Sequence, residues 1–240
     1  YSEKVKGSNC EKLFTALKMN KRYLRIIKSD LSRVKTKHEF FEALKNPEIG
    51  TIIVDCDEIK FENSFSGCGQ VIIDRPICIR GSAKLSYVTF ILKDKAMLIL
   101  ADNICIDNTR KMTSLYFSRN NIEMENNSVL IINDNVSLNS GFGVGKGGYG
   151  INVKGENCTV YLNSSSTSFI NKGFLRCCNS NSRVVVNSGK YLSLGINPAF
   201  LINGKLIING GFIRNIKGLE FSDIAVNSGT IGEENKPQFP

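Results

Sequence analysis

Side chains able to do chemistry are few in this chain and unevenly placed. Acids recur at Asp55, Asp74 and Asp102, each closing a short apolar run, with Asp57 and Glu58 beside the first. Brought to one edge, such carboxylates would offer calcium the oxygen ligands it prefers. The same acids read equally as corner residues, because Asp and Asn tolerate left-handed turns and bond nearby backbone. His38 is the sole histidine, so a His-based triad and a His-rich metal centre are nearly excluded. It reads as a helix-surface residue.

The run Gly141 to Gly150 holds Gly143, Gly145, Lys146, Gly148 and Tyr149. GxGxxG fits at Gly143, Gly145 and Gly148, but no helix follows it. A phosphate-binding loop would need Gly at 140 and Ser or Thr after Lys146, where Ser140 and Gly147 stand. These residues are expected to form a projecting loop able to bind a ligand.

Eight cysteines are too sparse for a disulfide scaffold, and no CxxC exists to seed a structural zinc site. Cys78 and Cys105 sit in Ile77-Cys78-Ile79 and Ile104-Cys105-Ile106. Aligned, they fall one coil apart, as a ladder or disulfide, or as two half-buried thiols. Cys177 and Cys178 read as one side chain in and one out on a strand. Trp is absent, which weakens the usual platform for stacking sugars, though Tyr can substitute. Asn-x-Ser/Thr at Asn126, Asn135, Asn157 and Asn163 is what chance supplies in a chain this rich in Asn.

The chain has 240 residues, 42% hydrophobic and 22% charged, which describes a globular chain. No apolar run approaches the ~20 residues of a membrane helix. The chain begins at Tyr1 with no signal-like segment, so it reads as a processed or excised piece. Net charge is 31 − 22 = +9, and residues 1–45 carry 12 − 5 = +7 of it. The basic region reads as a solvated face over one end of the fold rather than as a nucleic-acid site.

Elements follow from periodicity. Cys10, Leu13, Leu17, Leu24, Ile27, Leu31 and Val34 keep heptad spacing, behind a possible Ser8–Glu11 capping box. They form either one basic helix over 9–34, or a helix over 9–19 followed by an extended piece. This stretch, 10–34, is also where chains could assemble into oligomers. Thr36 and Glu39 open a helix carrying Phe40, Phe41 and Leu44, which Pro47 ends. From Thr51 the period becomes two, with runs including Pro76–Arg80, Met97–Leu100, Leu115–Phe117, Ser128–Ile132, Arg183–Val186 and Lys205–Ile208. No helical pattern separates them.

Asn and Gly number 26 and 21, so the chain turns often. Several strands end alike, at Asp55, Asp74, Asp102, Asn133, Asn163, Asn187, Asn209 and Asn227. The spacings are 19, 28, 31, 30, 24, 22 and 18 residues. Such a repeat marks a solenoid whose coils stack into one core. Asn133, Asn163, Asn187, Asn209 and Asn227 are expected to form a side-chain ladder. The spacing varies too much for short hexapeptide repeats and suits an all-β fold, a right-handed parallel β-helix over 46–240 with an irregular tail. Residues 1–45 supply its helix-containing N-terminal cap. Val185 and Ile207 are expected inside the stack.

Val34 to Gly81 resembles the opening of right-handed β-helices of the pectate-lyase-like superfamily, particularly those of bacterial surface proteins. The matching residues are Val34-x-Thr36-x-x-Glu39-Phe40 with Ala43-Leu44, Gly50-Thr51-Ile52-Ile53-Val54, and Arg75-Pro76-Ile77-Cys78-Ile79-Arg80-Gly81. Gly147-Gly148-Tyr149-Gly150-Ile151 and Asn203-Gly204 through Ile213 resemble the glycine-rich repeats of secreted β-helix adhesins. These motifs speak for a fold more than for a function.

The resemblance implies two functions. One is a non-catalytic, adhesin-like module, secreted or at the cell surface, that binds a glycan or host surface. The other is a divergent calcium-dependent polysaccharide lyase, with Asp55, Asp74 and Asp102 holding the metal and Arg75 or Arg80 as base. The lyase arginine pattern Arg-x-Pro-x-x-Arg is not matched in spacing. A phage-type trimeric spike fragment is a third implication, separated from the others by solution mass.

Overall fold

The period-two runs become the strands of a right-handed parallel β-helix. A computed structural model describes residues 26, 29–62, 68–109, 120–140, 149–170, 173–193 and 198–232. Each coil visits three sheets in turn. Sheet A comprises β1 (Asp30–Val34), β2 (Ile49–Val54), β5 (Pro76–Gly81), β8 (Met97–Leu100), β11 (Val129–Ile132), β14 (Thr159–Leu162), β17 (Arg183–Val186), β20 (Lys205–Ile208) and β23 (Asp223–Val226). Sheet B comprises β3 (Glu58–Lys60), β6 (Lys84–Ser86), β9 (Cys105–Asn108), β12 (Ser137–Ser140), β15 (Thr167–Ile170), β18 (Lys190–Ser193), β21 (Phe212–Ile213) and β24 (Thr230–Ile231). Sheet C comprises β4 (Gly69–Ile73), β7 (Val88–Leu92), β10 (Ile122–Met124), β13 (Ile151–Val153), β16 (Leu175–Cys177), β19 (Phe200–Ile202) and β22 (Ile216–Gly218). Strands pair in parallel with the coils before and after, and such crossovers wind right-handed.

Like residues stack because the register is held from coil to coil. In sheet A, Leu100, Ile132, Leu162, Val186 and Ile208 are successive partners, all fully or nearly fully buried. In sheet C, Phe90, Ile122, Ile151, Leu175 and Phe200 do the same. No coil could bury these side chains alone.

The expected phase of two strands is corrected. Val184, Val186, Leu206 and Ile208 face the core, while Val185 and Ile207 join an outward column. The runs Val184-Val185-Val186 and Leu206-Ile207-Ile208 are apolar at every position. They carry no alternation to state which face is inside, and a slip of one residue exchanges the faces.

At the N-terminal end, α1 (Lys37–Lys45) begins with the expected capping box. Thr36 Oγ1 accepts from Glu39 N at 3.2 Å, and the Glu39 carboxylate accepts from Thr36 N. The helix packs on β1 and β2, and Phe40 meets Phe61 edge-on at 5.2 Å between ring centres. It thereby closes the end of the core. His38 lies exposed on it.

The residues of β1 belong to sheet A, so a continuous helix over 9–34 does not form. Leu31 points out and is 61% exposed, while Val34 points in and is buried, which breaks the heptad face. The Ser8–Glu11 box, the heptad positions from Cys10 to Leu24, the run Leu115–Phe117 and residues 233–240 lie outside the described residues.

The ends of the Arg75 to Gly81 motif have separate tasks. Arg75 Nη2 donates to the carbonyls of Leu44 and Asn46, each at 2.8 Å, tying the end of α1 to the first coils. Gly81 has φ +133° and sits so close to β2 that a Cβ would lie 2.3 Å from Val54 O. Only glycine fits there.

Candidate functional site

The Asn ladder forms with all five expected members. Asn163 donates to Asn133 at 2.9 Å, Asn187 to Asn163 at 2.6 Å, Asn209 to Asn187 at 2.9 Å and Asn227 to Asn209 at 2.7 Å. It is structural, lining the corner after sheet A.

The three expected metal ligands are not brought together. Asp55 follows β2 of sheet A and forms an exposed 3.9 Å ion pair with Lys35. Asp74 follows β4 of sheet C, at a different corner. Asp102 lies one residue past the ladder position, which Ala101 occupies, since Leu100 pairs with Ile132. Its carboxylate is engaged by Arg80, with Nε to Oδ2 at 2.9 Å and Nη2 to Oδ1 at 3.0 Å. Among the described residues, no group of three or more His, Cys, Asp or Glu side chains is placed to hold a metal ion. The spacing misled because the 55-to-74 step crosses from one sheet to another.

The two candidate bases are likewise occupied in structural bonds. Arg75 holds the end of α1, and burial pushes its guanidinium below its ordinary value, with Asp74 opposing. Arg80 is clasped by Asp102.

The cysteine alignment is corrected too. Cys78 lies in sheet A against Ile99, and Cys105 lies in sheet B against Lys84 and Ser137. They do not stack, and no disulfide joins them. Cys177 points into the core and Cys178 is half-buried, one in and one out as expected.

A polar array that the sequence did not announce lies on the outer face of sheet C. Glu123, Asn152 and Arg176 are register partners on β10, β13 and β16. Neighbouring strands place such side chains about 4.8 Å apart. Glu123 accepts from Asn120 Nδ2 at 2.7 Å and from Lys154 Nζ at 2.5 Å. Asn120 Oδ1 in turn accepts from Tyr149 N at 2.7 Å. The Arg176 guanidinium carbon lies 5.8 Å from the Tyr149 ring centre. Two groups in this array have no partner. Asn152 is 8% exposed and its Oδ1 is buried without a hydrogen bond, as is Arg176 Nε. Nearby, Asn121 Nδ2 donates to Asn139 O at 3.1 Å, while the Oδ1 atoms of both side chains are unpartnered.

Tyr149 was expected in the binding loop and is instead 7% exposed, its ring packed over Gly173 and burial raising its phenol pKa. Gly143, Gly145, Lys146 and Gly148 lie outside the described residues. Asn152 and Arg176 escaped notice because β13 and β16 have three residues each. The alternations Ile151-Asn152-Val153 and Leu175-Arg176-Cys177 were the available signal.

No family model, no curated protein and no solved structure matches this chain. Among the described residues, no helix is long and apolar enough to cross a membrane.

Proposed function

We propose that this chain is a non-catalytic binding module, displayed at a cell surface or secreted, that recognises a glycan or glycan-bearing host surface through the outer face of sheet C. The observation that carries this reading is the polar row on that face, Glu123, Asn152 and Arg176 in register on three neighbouring strands. A hydroxyl-rich ligand offers both the donors and the acceptors that such a row can pair. Glu123 and Lys154 add one charge of each sign to the same array. The pectate-lyase-like kinship suggested by Val34 to Gly81 belongs to this proposal.

The test is a panel of acidic and neutral polysaccharides, with binding read by calorimetry and products by mass spectrometry in millimolar calcium, with an EDTA control. Saturable binding that Asn152→Ala and Arg176→Ala each weaken at least several-fold, without new products, supports the reading. Unsaturated oligosaccharides that vanish with EDTA would instead make the chain a lyase.

A further inference from the structure

The stack of coils is open at the end away from α1. The strands β22, β23 and β24 are the last in sheets C, A and B, and among the described residues no strand pairs with their far edges. Ile224, Val226 and Ile231 continue the inward columns of Leu206, Ile208 and Ile213, which are fully buried. They are themselves 39%, 50% and 42% exposed. With Leu219 and Phe221 they are five of the seven exposed large hydrophobic side chains among the described residues. An apolar end bordered by unpaired strand edges is a surface for another layer of strands.

The backbone of β23 fixes how that layer can pair. Asp223 N donates to Gly204 O at 3.1 Å and Asn227 N to Ile208 O at 2.8 Å, so these amides point back into the stack. The amides and carbonyls of Ile224 and Val226 therefore point to the open edge. A second copy, turned about a two-fold axis beside Ala225, sets the two β23 strands antiparallel. Ile224 then exchanges both backbone bonds with the partner's Val226, and both side chains stay on the core side. Charges agree with this arrangement. Glu220 and Asp223 come opposite the partner's uncharged Asn227-Ser228-Gly229 turn, and Lys217 of β22 comes opposite its uncharged β24. A head-to-tail stack would instead set open core on α1, whose exposed residues include Lys37, Glu39, Glu42 and Lys45.

We propose that two copies of this chain associate end to end through this coil, β23 against β23 about a two-fold axis, with one core running across the junction. Such an interface uses the same surface on both copies, so it closes at two. The inference is independent of the ligand reading, which concerns the outer face of sheet C.

The test is sedimentation equilibrium of the full 26.6 kDa chain over a range of concentrations. The expected mass rises toward twice that of one chain. Ile224→Glu/Val226→Glu should hold it at one chain with a native circular dichroism spectrum, because both side chains are exposed in the single copy. In the pair, Ala225 faces its counterpart at about 4.5 Å between Cα atoms. That is within the reach of a disulfide. With diamide as oxidant, Ala225→Cys should form a covalent pair in a yield several-fold above both the parent chain and Asp223→Cys. A mass of one chain at every concentration overturns the proposal, as does a mass above two. A pair that the double variant leaves intact also overturns it, as do equal covalent yields from Ala225→Cys and Asp223→Cys. If the double variant loses its native spectrum, Ala225→Arg takes its place, sets like charges together at the axis and is judged by the same mass.

Discussion

Asn163 donates from Nδ2 to Asn133 at 2.9 Å and accepts at Oδ1 from Asn187 at 2.6 Å. One side chain thus links three coils through a donor and an acceptor that would otherwise need water at a crowded corner. Asn163→Ala should cost about 1–3 kcal/mol, because it leaves both neighbours short of a partner. Asn227 ends the ladder on the last described coil, where Ile224 and Val226 are 39% and 50% exposed. Asn227→Ala should cost less than about 1 kcal/mol, since water can replace its bond there. Urea unfolding of the two variants side by side measures the difference, and equal losses would deny the ladder its linking role.

The phase of β20 predicts opposite outcomes for adjacent residues. Leu206 is fully buried in the core, so Leu206→Asp should unfold the chain or cost more than about 4 kcal/mol. Ile207 faces outward and is only partly buried, so Ile207→Asp should keep a native circular dichroism spectrum. Reversed outcomes would shift the register by one residue.

Arg75 is a clamp in this structure. Arg75→Met keeps the aliphatic bulk and removes the bonds to Leu44 O and Asn46 O. The expected loss is about 1–3 kcal/mol, seen as a lower thermal midpoint. An unchanged midpoint would show that α1 is held by its aromatic contacts alone.

Burial raises the thiol of Cys177 to about 11 from an ordinary 9.0. The unfolded chain therefore loses this proton first as pH rises, and stability falls between about pH 9 and 11. The fall due to this group should be on the order of 3 kcal/mol. Cys177→Ala should flatten that part of the stability–pH curve relative to wild type. Identical slopes in the two proteins would mean the thiol is not shielded.

Arg80 and Asp102 form a half-exposed pair, worth at most about 1 kcal/mol. With Asp102 so engaged and Asp74 at another corner, millimolar calcium should leave the thermal midpoint unchanged. A calcium-dependent rise that Asp102→Asn abolishes would bring the metal reading back.

Much of the fold was readable in the chain because it repeats. The ladder asparagines recur after apolar triplets, and one coil's pattern is tested against the next. The capping box of α1 is a local signal, complete within Thr36 to Glu39. The short strands of sheet C were harder. Three residues such as Ile151-Asn152-Val153 carry too little pattern to stand alone, and their meaning comes from the coils above and below.

The sequence by itself determined that coils would stack, that Asn would line one corner and that a helix would close one end, because these depend on local propensity and repetition. Tertiary structure alone decided which side of each apolar strand faces inward and which sheet each acid closes. It therefore separated Asp74 from Asp55 and Asp102, turned Val185 and Ile207 outward, and placed Asn152 beside Arg176. The physical reason is register. Pairing between coils is set by the whole stack at once, and residues distant in sequence become neighbours only when every strand between them is in phase.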